Sequence, residues 1–194
     1  MFMEKNMNGY DFDKTIYDGD SSTDFFLYMV LTRTYLLLFF PWFLMVVFLY
    51  GLKVLSKKKT KQFLFFFIPW FKNIDQIVEK FWDKKIGKVF QWYKDQQKEN
   101  DLIISASLDF VLVPAMKRLG IKNYFCTLYN KKTGKIIGEN CYGKQKYIRF
   151  QAKFNGVVLK SFYSDSMSDY PMMRIAEEAY LVKNKLPHAI DVPK

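Results

Sequence analysis

Two carboxylates at i and i+2 beside a hydroxyl, Asp11-Phe12-Asp13-Lys14-Thr15, form the first group in this chain whose spacing suits chemistry. A second acidic pair, Asp165 and Asp169, stands in Tyr163-Ser164-Asp165-Ser166-Met167-Ser168-Asp169. Between them lie Ile103-Ile104-Ser105-Ala106-Ser107 and the basic pair Lys144 and Lys146 in Cys141-Tyr142-Gly143-Lys144-Gln145-Lys146. One carboxylate can attack as a nucleophile while its neighbour moves protons. Carboxylates crowded together repel unless a cation neutralises them, so a divalent metal is implied. An all-oxygen set with few protein ligands suits Mg²⁺, which keeps several waters and takes further oxygens from a substrate phosphate. The Ser hydroxyl and Lys ammonium are what the remaining phosphoryl oxygens need.

These groups can meet only if the fold gathers them. A short strand up to Tyr10, a loop from Asp11 to Asp20 and helical, apolar sequence from about Thr23 to Leu55 are expected. Lys57 to Lys61 reads as a polar break, and FLFFFIPWF (63–71) as a second apolar stretch ended by Pro69. Ile74, Ile77, Val78, Phe81, Trp82, Val89 and Tyr93 recur at three- and four-residue steps, the mark of an amphipathic helix. After Asn100 the pattern changes. DLIIS (101–105) reads as a buried strand and FVLVPAMKRLG (110–120) as a helix closed by Gly120. A hairpin is expected over 123–138, a helix over 144–154, a strand over 157–165, a helix over 169–179 and a last short strand at AYLVK. Strands alternating with helices imply an α/β fold with a mostly parallel sheet. The expected organisation is an α/β core at 1–22 and 99–194, interrupted by an all-helical insert at 23–98. Ligands bind such sheets beyond the carboxyl ends of the strands, where DFDKT, SAS and SDSMSD all fall.

The order D-x-D-x-T, an apolar strand ending in Ser, a Lys, then a strand ending in D-S-x-x-D resembles the haloacid dehalogenase superfamily. It looks most like the phosphoserine-phosphatase-like branch, whose helical cap is inserted just after the first motif. The resemblance covers both ends of the chain but not the detail of the insert. It implies that Asp11 is the nucleophile and Asp13 the acid/base partner. It further implies that Asp11, the Asp13 carbonyl and Asp165 hold Mg²⁺, with Asp169 supporting them. Ser105, the Ala106 N–H and Lys146 would grip the transferring phosphoryl group. Lys146 fits the family's G-x-x-K pattern better than Lys144. Lys14 occupies a place where Gly is frequent, with its side chain free to point to solvent. Asp20 sits where this branch often carries an acidic residue facing the substrate, and it is equally placed to cap the helix starting near Ser22.

Composition adds a second theme. The 194 residues include 20 Phe, 13 Tyr and 4 Trp, and the net charge is +11. Twelve lysines and four acids fall between Lys53 and Lys98. A basic block beside an aromatic one points to a membrane surface or anionic substrates. Nucleic acid is disfavoured, because no base-reading motif occurs and the aromatics lie in apolar runs. Cys126 and Cys141, the only cysteines, make no disulfide framework or metal spacing, Cys126 reads as a buried strand residue, and a reducing, cytosolic compartment fits. The N-terminus is too polar for a signal peptide. Tyr35 to Leu52 carries no charge and just reaches spanning length. A single crossing would separate Asp11 from Ser105, Lys146 and Asp165, and Phe63–Phe71 is too short for a return helix. The expectation is therefore a cap lying in the interface, its aromatics in the acyl boundary and its lysines on anionic headgroups. The substrate would be a phosphomonoester presented from the inner face of the cytoplasmic membrane. The same branch includes a bacterial phosphatidylglycerophosphate phosphatase, and this insert is similar in placement and character. A soluble phosphatase for a small metabolite such as phosphoserine, and a non-catalytic membrane-binding protein, are the alternatives. His188, the only histidine, falls in an expected tail.

Overall fold

Asn8–Tyr10 is only three residues long, yet as strand β1 it holds a central place in the sheet. The computed structural model describes residues 7–193, so residues 1–6 and 194 of the expected core lie outside the described residues. An insert follows β1, with helices α1 (Ser21–Thr32), α2 (Phe40–Gly51), α3 (Lys57–Leu64), α4 (Ile74–Lys85) and α5 (Gln91–Gln96). The chain then forms β2 (Leu102–Leu108), α6 (Asp109–Leu119), β3 (Asn123–Thr127), β4 (Tyr129–Asn130) and β5 (Lys135–Ile136). Next come α7 (Lys144–Lys153), β6 (Leu159–Ser164), α8 (Tyr170–Met173), β7 (Ala176–Lys183) and β8 (Leu186–Ile190).

The six-stranded sheet has the order β3-β2-β1-β6-β7-β8, parallel except for β8. Both its faces are covered. Tyr10, Ile103 and Tyr163 face a core shared with Phe110 of α6 and with Phe25, Phe65, Phe81 and Trp82 of the insert. Leu102, Ile104 and Phe162 face the opposite core, with Phe150 of α7 and Met172 of α8. Burial on both sides is why these strands read as continuous apolar runs. The α/β expectation, with a mostly parallel sheet and a helical insertion, holds.

Several local expectations do not. The helix expected from Thr23 to Leu55 breaks at Arg33, and a tight 3₁₀ stretch (Thr34–Phe39) leads into α2, whose first turn holds Pro41. Lys57–Lys61 is no break: Ser56 caps α3, its hydroxyl accepting from the Lys59 N–H, and the lysines form the first turns. The amphipathic helix ends at Lys85, and Val89 and Tyr93 are buried from separate elements. Of the hairpin expected over 123–138 only β4 and β5 pair; YFCT instead joins the main sheet beside β2, where Cys126 is buried. Ala176–Ala179 is strand rather than helix, because pairing with β6 overrides the helical preference of Ala and Glu. His188 lies on β8, not in a tail.

Candidate active site

Asp11 leaves β1 one residue past its end, and Asp165 leaves β6 in the same way. The two strands pair in parallel with Tyr10 opposite Tyr163, and the Asp11 N–H donates to the Tyr163 carbonyl at 2.8 Å. Both aspartates therefore emerge side by side at the carboxyl edge of the sheet. The Asp165 N–H donates to Thr15 Oγ1 at 2.9 Å, which ties the two loops together. Lys14 adopts a φ of 57°, which explains why glycine suits this position. Its ammonium is not indifferent to the site. Burial raises the Asp165 carboxyl, and Lys14 is the first group pulling it back down, followed by Lys146.

Lys146 is the centre of the charge network. Gly143, at φ 55° and ψ −124°, turns the chain into α7, and the Lys146 side chain enters the core with 1% exposure. Its Nζ lies 2.8 Å from Asp11 Oδ1 and 2.6 Å from Asp169 Oδ2. Ser164 Oγ donates to the same Asp169 oxygen at 2.8 Å. Lys144, by contrast, is exposed. Burial works against the Lys146 charge, but Asp11 and Asp169 outweigh it and hold the group as an ammonium. For Asp11 burial wins: its carboxyl is pushed up against the pull of Lys146, with Asp169 and Asp13 adding to the rise.

Asp13 is held by other partners. Its Oδ1 accepts the Ser21 N–H at 2.7 Å and its Oδ2 accepts the Ser107 hydroxyl at 2.5 Å. Burial, then the field of Asp20, raises its carboxyl to about 6, while Ser107 and Ser21 oppose the shift. Asp20 caps α1, its Oδ1 accepting from the Thr23 N–H at 2.8 Å. Ser105 lies inside β2 rather than at its end, and its buried hydroxyl accepts the Ser107 N–H at 3.0 Å. The Ala106 carbonyl accepts from Thr127 Oγ1 at 2.9 Å and from Lys61 Nζ at 2.5 Å.

Ser107 and Lys61 are the residues at this edge that the motifs did not single out. Ser107 was legible in principle, since residues two apart on a strand share a face and Ser105 was already picked. Lys61 was not, because only the folding of α3 against the core brings it here.

Would these residues suit a divalent cation? Among the described residues no three His, Cys, Asp or Glu side chains gather as a ready cluster. The set implied above needs only two side-chain carboxylates, Asp11 and Asp165, and one main-chain carbonyl, with water and substrate completing the shell. Two parallel strands deliver those carboxylates to one edge, and the buried Asp169 Oδ1 has no hydrogen-bond partner. Charge points the same way, since Asp11 and Asp169 share a single buried ammonium. The donor set fits Mg²⁺.

The chain thus carries Asp11 and Asp165 side by side at the carboxyl edge of a mostly parallel α/β sheet, with a helical insert after β1. Residues 9–174 match the family model for haloacid dehalogenase-like hydrolases, and the chain belongs to that family. No curated protein matches the chain in sequence. Among solved structures it is similar to a protein of unknown function from Bordetella pertussis Tohama I, at 18% identity and TM-score 0.77, covering 91% of this chain and 89% of that one. A phosphoserine phosphohydrolase-like protein from Francisella tularensis subsp. tularensis SCHU S4 is similar at 18% identity and TM-score 0.55, over 91% and 86% of the two chains. A phospho-aspartyl intermediate analogue of phosphoserine phosphatase is similar at 15% identity and TM-score 0.56, over 91% and 86%. At these identities the likeness is one of fold.

Proposed function

We propose that this chain is a Mg²⁺-dependent phosphomonoester hydrolase acting through an aspartyl-phosphate on Asp11, with a lipid phosphate as substrate. The observation that carries the chemistry is the Asp11–Lys146–Asp169 network beside a separately held Asp13. Asp11 Oδ1 is fixed by Lys146 and by the Phe12 N–H at 2.7 Å, which leaves Oδ2 to attack. The new bond joins Oδ2 to phosphorus, the bond from phosphorus to the alcohol oxygen breaks, and Asp13 supplies that oxygen's proton. Asp13, now ionised, takes a proton from water as the water oxygen attacks phosphorus, releasing inorganic phosphate and free Asp11. Burial raises both carboxyls. A cation on the Asp11 side chain would keep that group ionised for attack, while Asp13, which offers the ion only its carbonyl, keeps the proton it gives. Mg²⁺, held by Asp11, the Asp13 carbonyl and Asp165 with Asp169 behind them, would neutralise phosphate charge. Ser105, the Ala106 N–H and Lys146 are assigned to the phosphoryl oxygens, and Asp20 to the substrate side.

The lipid part of the proposal rests on the insert, taken as a cap over residues 23–98 on a core of 1–22 and 99–194. Thr34–Gly51 is long and apolar enough to cross a membrane, yet only 17% of it is buried. Leu38 is 82% exposed and Phe48 64%. Leu52 and Val54, which follow α2, are also exposed, and Lys57 at the start of α3 has its Nζ 3.5 Å from the centre of the Tyr142 ring, in the loop before α7. An apolar helix left exposed around most of its circumference suits a protein dipping into the interface at the inner face of the cytoplasmic membrane, meeting a lipid such as phosphatidylglycerophosphate. The test is phosphate release from that lipid in mixed micelles and from phosphoserine, with detergent-free fractionation alongside. Faster release from the lipid and recovery with membranes are expected. Preference for phosphoserine and recovery in the high-speed supernatant would favour the soluble alternative, and no release from any phosphomonoester the non-catalytic one.

A further inference from the structure

Lys61, at the same edge, has no carboxylate within ion-pair distance among the described residues. Lys146 has two carboxylates, and Lys58 at the start of α3 pairs with Glu139 at 3.1 Å. Lys61 is half-buried, and its one polar partner among the described residues is the uncharged Ala106 carbonyl. A desolvated ammonium with a neutral partner is costly unless an anion joins it. Burial accordingly lowers its pKa, even against the fields of Asp13, Asp20 and Asp11. Of those carboxylates Asp13 acts on it most strongly, and Asp13 is the group assigned to the leaving oxygen. Lys57 lies one helical turn earlier, so both residues share the face of α3 that meets the core, over Tyr142 and Ala106.

Resting on the phosphatase reading above, we infer that Lys61, assisted by Lys57, forms a leaving-group subsite for a second anion. The substrate is then a phosphomonoester whose alcohol carries a further phosphate, held as a diester. Without Lys61 that diester would face the negative fields of Asp13 and Asp20 with only Lys57 to offset them.

The experiment compares the wild type with Lys61→Gln and Lys57→Gln, each checked for native circular dichroism. Three substrates are used: p-nitrophenyl phosphate, which has no second anion; glycerophosphoglycerol phosphate; and the diacyl form of the latter in mixed micelles. Relative to p-nitrophenyl phosphate, kcat/KM for both diester-bearing substrates is expected to fall about tenfold or more in Lys61→Gln, as loss of a charged hydrogen bond implies, and less in Lys57→Gln. An unchanged ratio would overturn the inference, placing Lys61 on the transferring phosphoryl group or in packing alone. A fall confined to the micellar substrate would also overturn it, since Lys61 would then act through the lipid surface. Wild-type preference for the diacyl form supports the lipid reading; equal turnover of the two would sink that reading and leave the subsite standing. Calorimetric titration with glycerophosphoglycerol, which has no phosphomonoester, needs no turnover. Its binding should weaken about tenfold in Lys61→Gln. If the wild type hydrolyses none of the three substrates, the phosphatase reading fails and this titration alone decides the subsite. Equal binding by wild type and variant would refute it.

Discussion

Asp11 and Asp13 are two residues apart yet live in different surroundings, and that difference assigns their work. Asp11 shares a buried ammonium with Asp169, whereas Asp13 rests on a hydroxyl and a backbone N–H beside Asp20. Since the protonated form of Asp13 must serve the leaving alcohol, and its carboxyl sits at about 6, kcat/KM for an alkyl phosphate should decline above that pH. Asp13→Asn should flatten this limb and slow alkyl phosphate turnover by about 10²–10⁴-fold. A wild-type pH profile that rises between pH 6 and 8 would remove Asp13 from this role. At this scale the sequence was informative about types and spacing and silent about environment. D-x-D-x-T and D-S-x-x-D could be read directly. That Ser107 rather than Ser105 bonds Asp13, and that the charge of Lys14 acts on Asp165, depends on placements that spacing alone does not determine.

Elements position these side chains through a few special backbone sites. Gly143 is one. A Cβ there would lie 3.3 Å from the Ser168 carbonyl, in a positive-φ conformation that side chains disfavour. Gly143→Ala should cost about 1–3 kcal/mol in urea unfolding and lower kcat by displacing Lys146, with the sheet's circular dichroism retained. Unchanged stability and turnover would show that the turn is not constrained as argued. Helices α4 and α6 were legible because their apolar residues keep a helical period, and Gly120 closes α6 at φ 69°. AYLVK was legible as strand, but the start of β7 was not, because AEEA favours helix locally and becomes strand only by pairing with β6. The lysines of α3 looked like a solvated break for a similar reason: Lys57, Lys58 and Lys61 each find a partner on the core that sequence cannot locate.

The whole molecule sets a buried catalytic edge beside an exposed apolar face. If that face enters a bilayer, Phe48→Glu should weaken sedimentation with anionic vesicles about tenfold or more, while p-nitrophenyl phosphate turnover stays at the wild-type level. Undiminished sedimentation would show that the face serves another purpose. The length and apolar character of 35–52 were plain in the sequence, but its exposure was not, since an equally apolar stretch can be wholly buried in a soluble core. The catalytic proposal itself is tested most directly by acid-quenching the protein with Mg²⁺ and a phosphomonoester, then mapping the phosphorylated peptide. A single acyl phosphate on Asp11, absent from Asp11→Asn, is the predicted result. A phosphoryl group on another residue, or full turnover by Asp11→Asn, would contradict it.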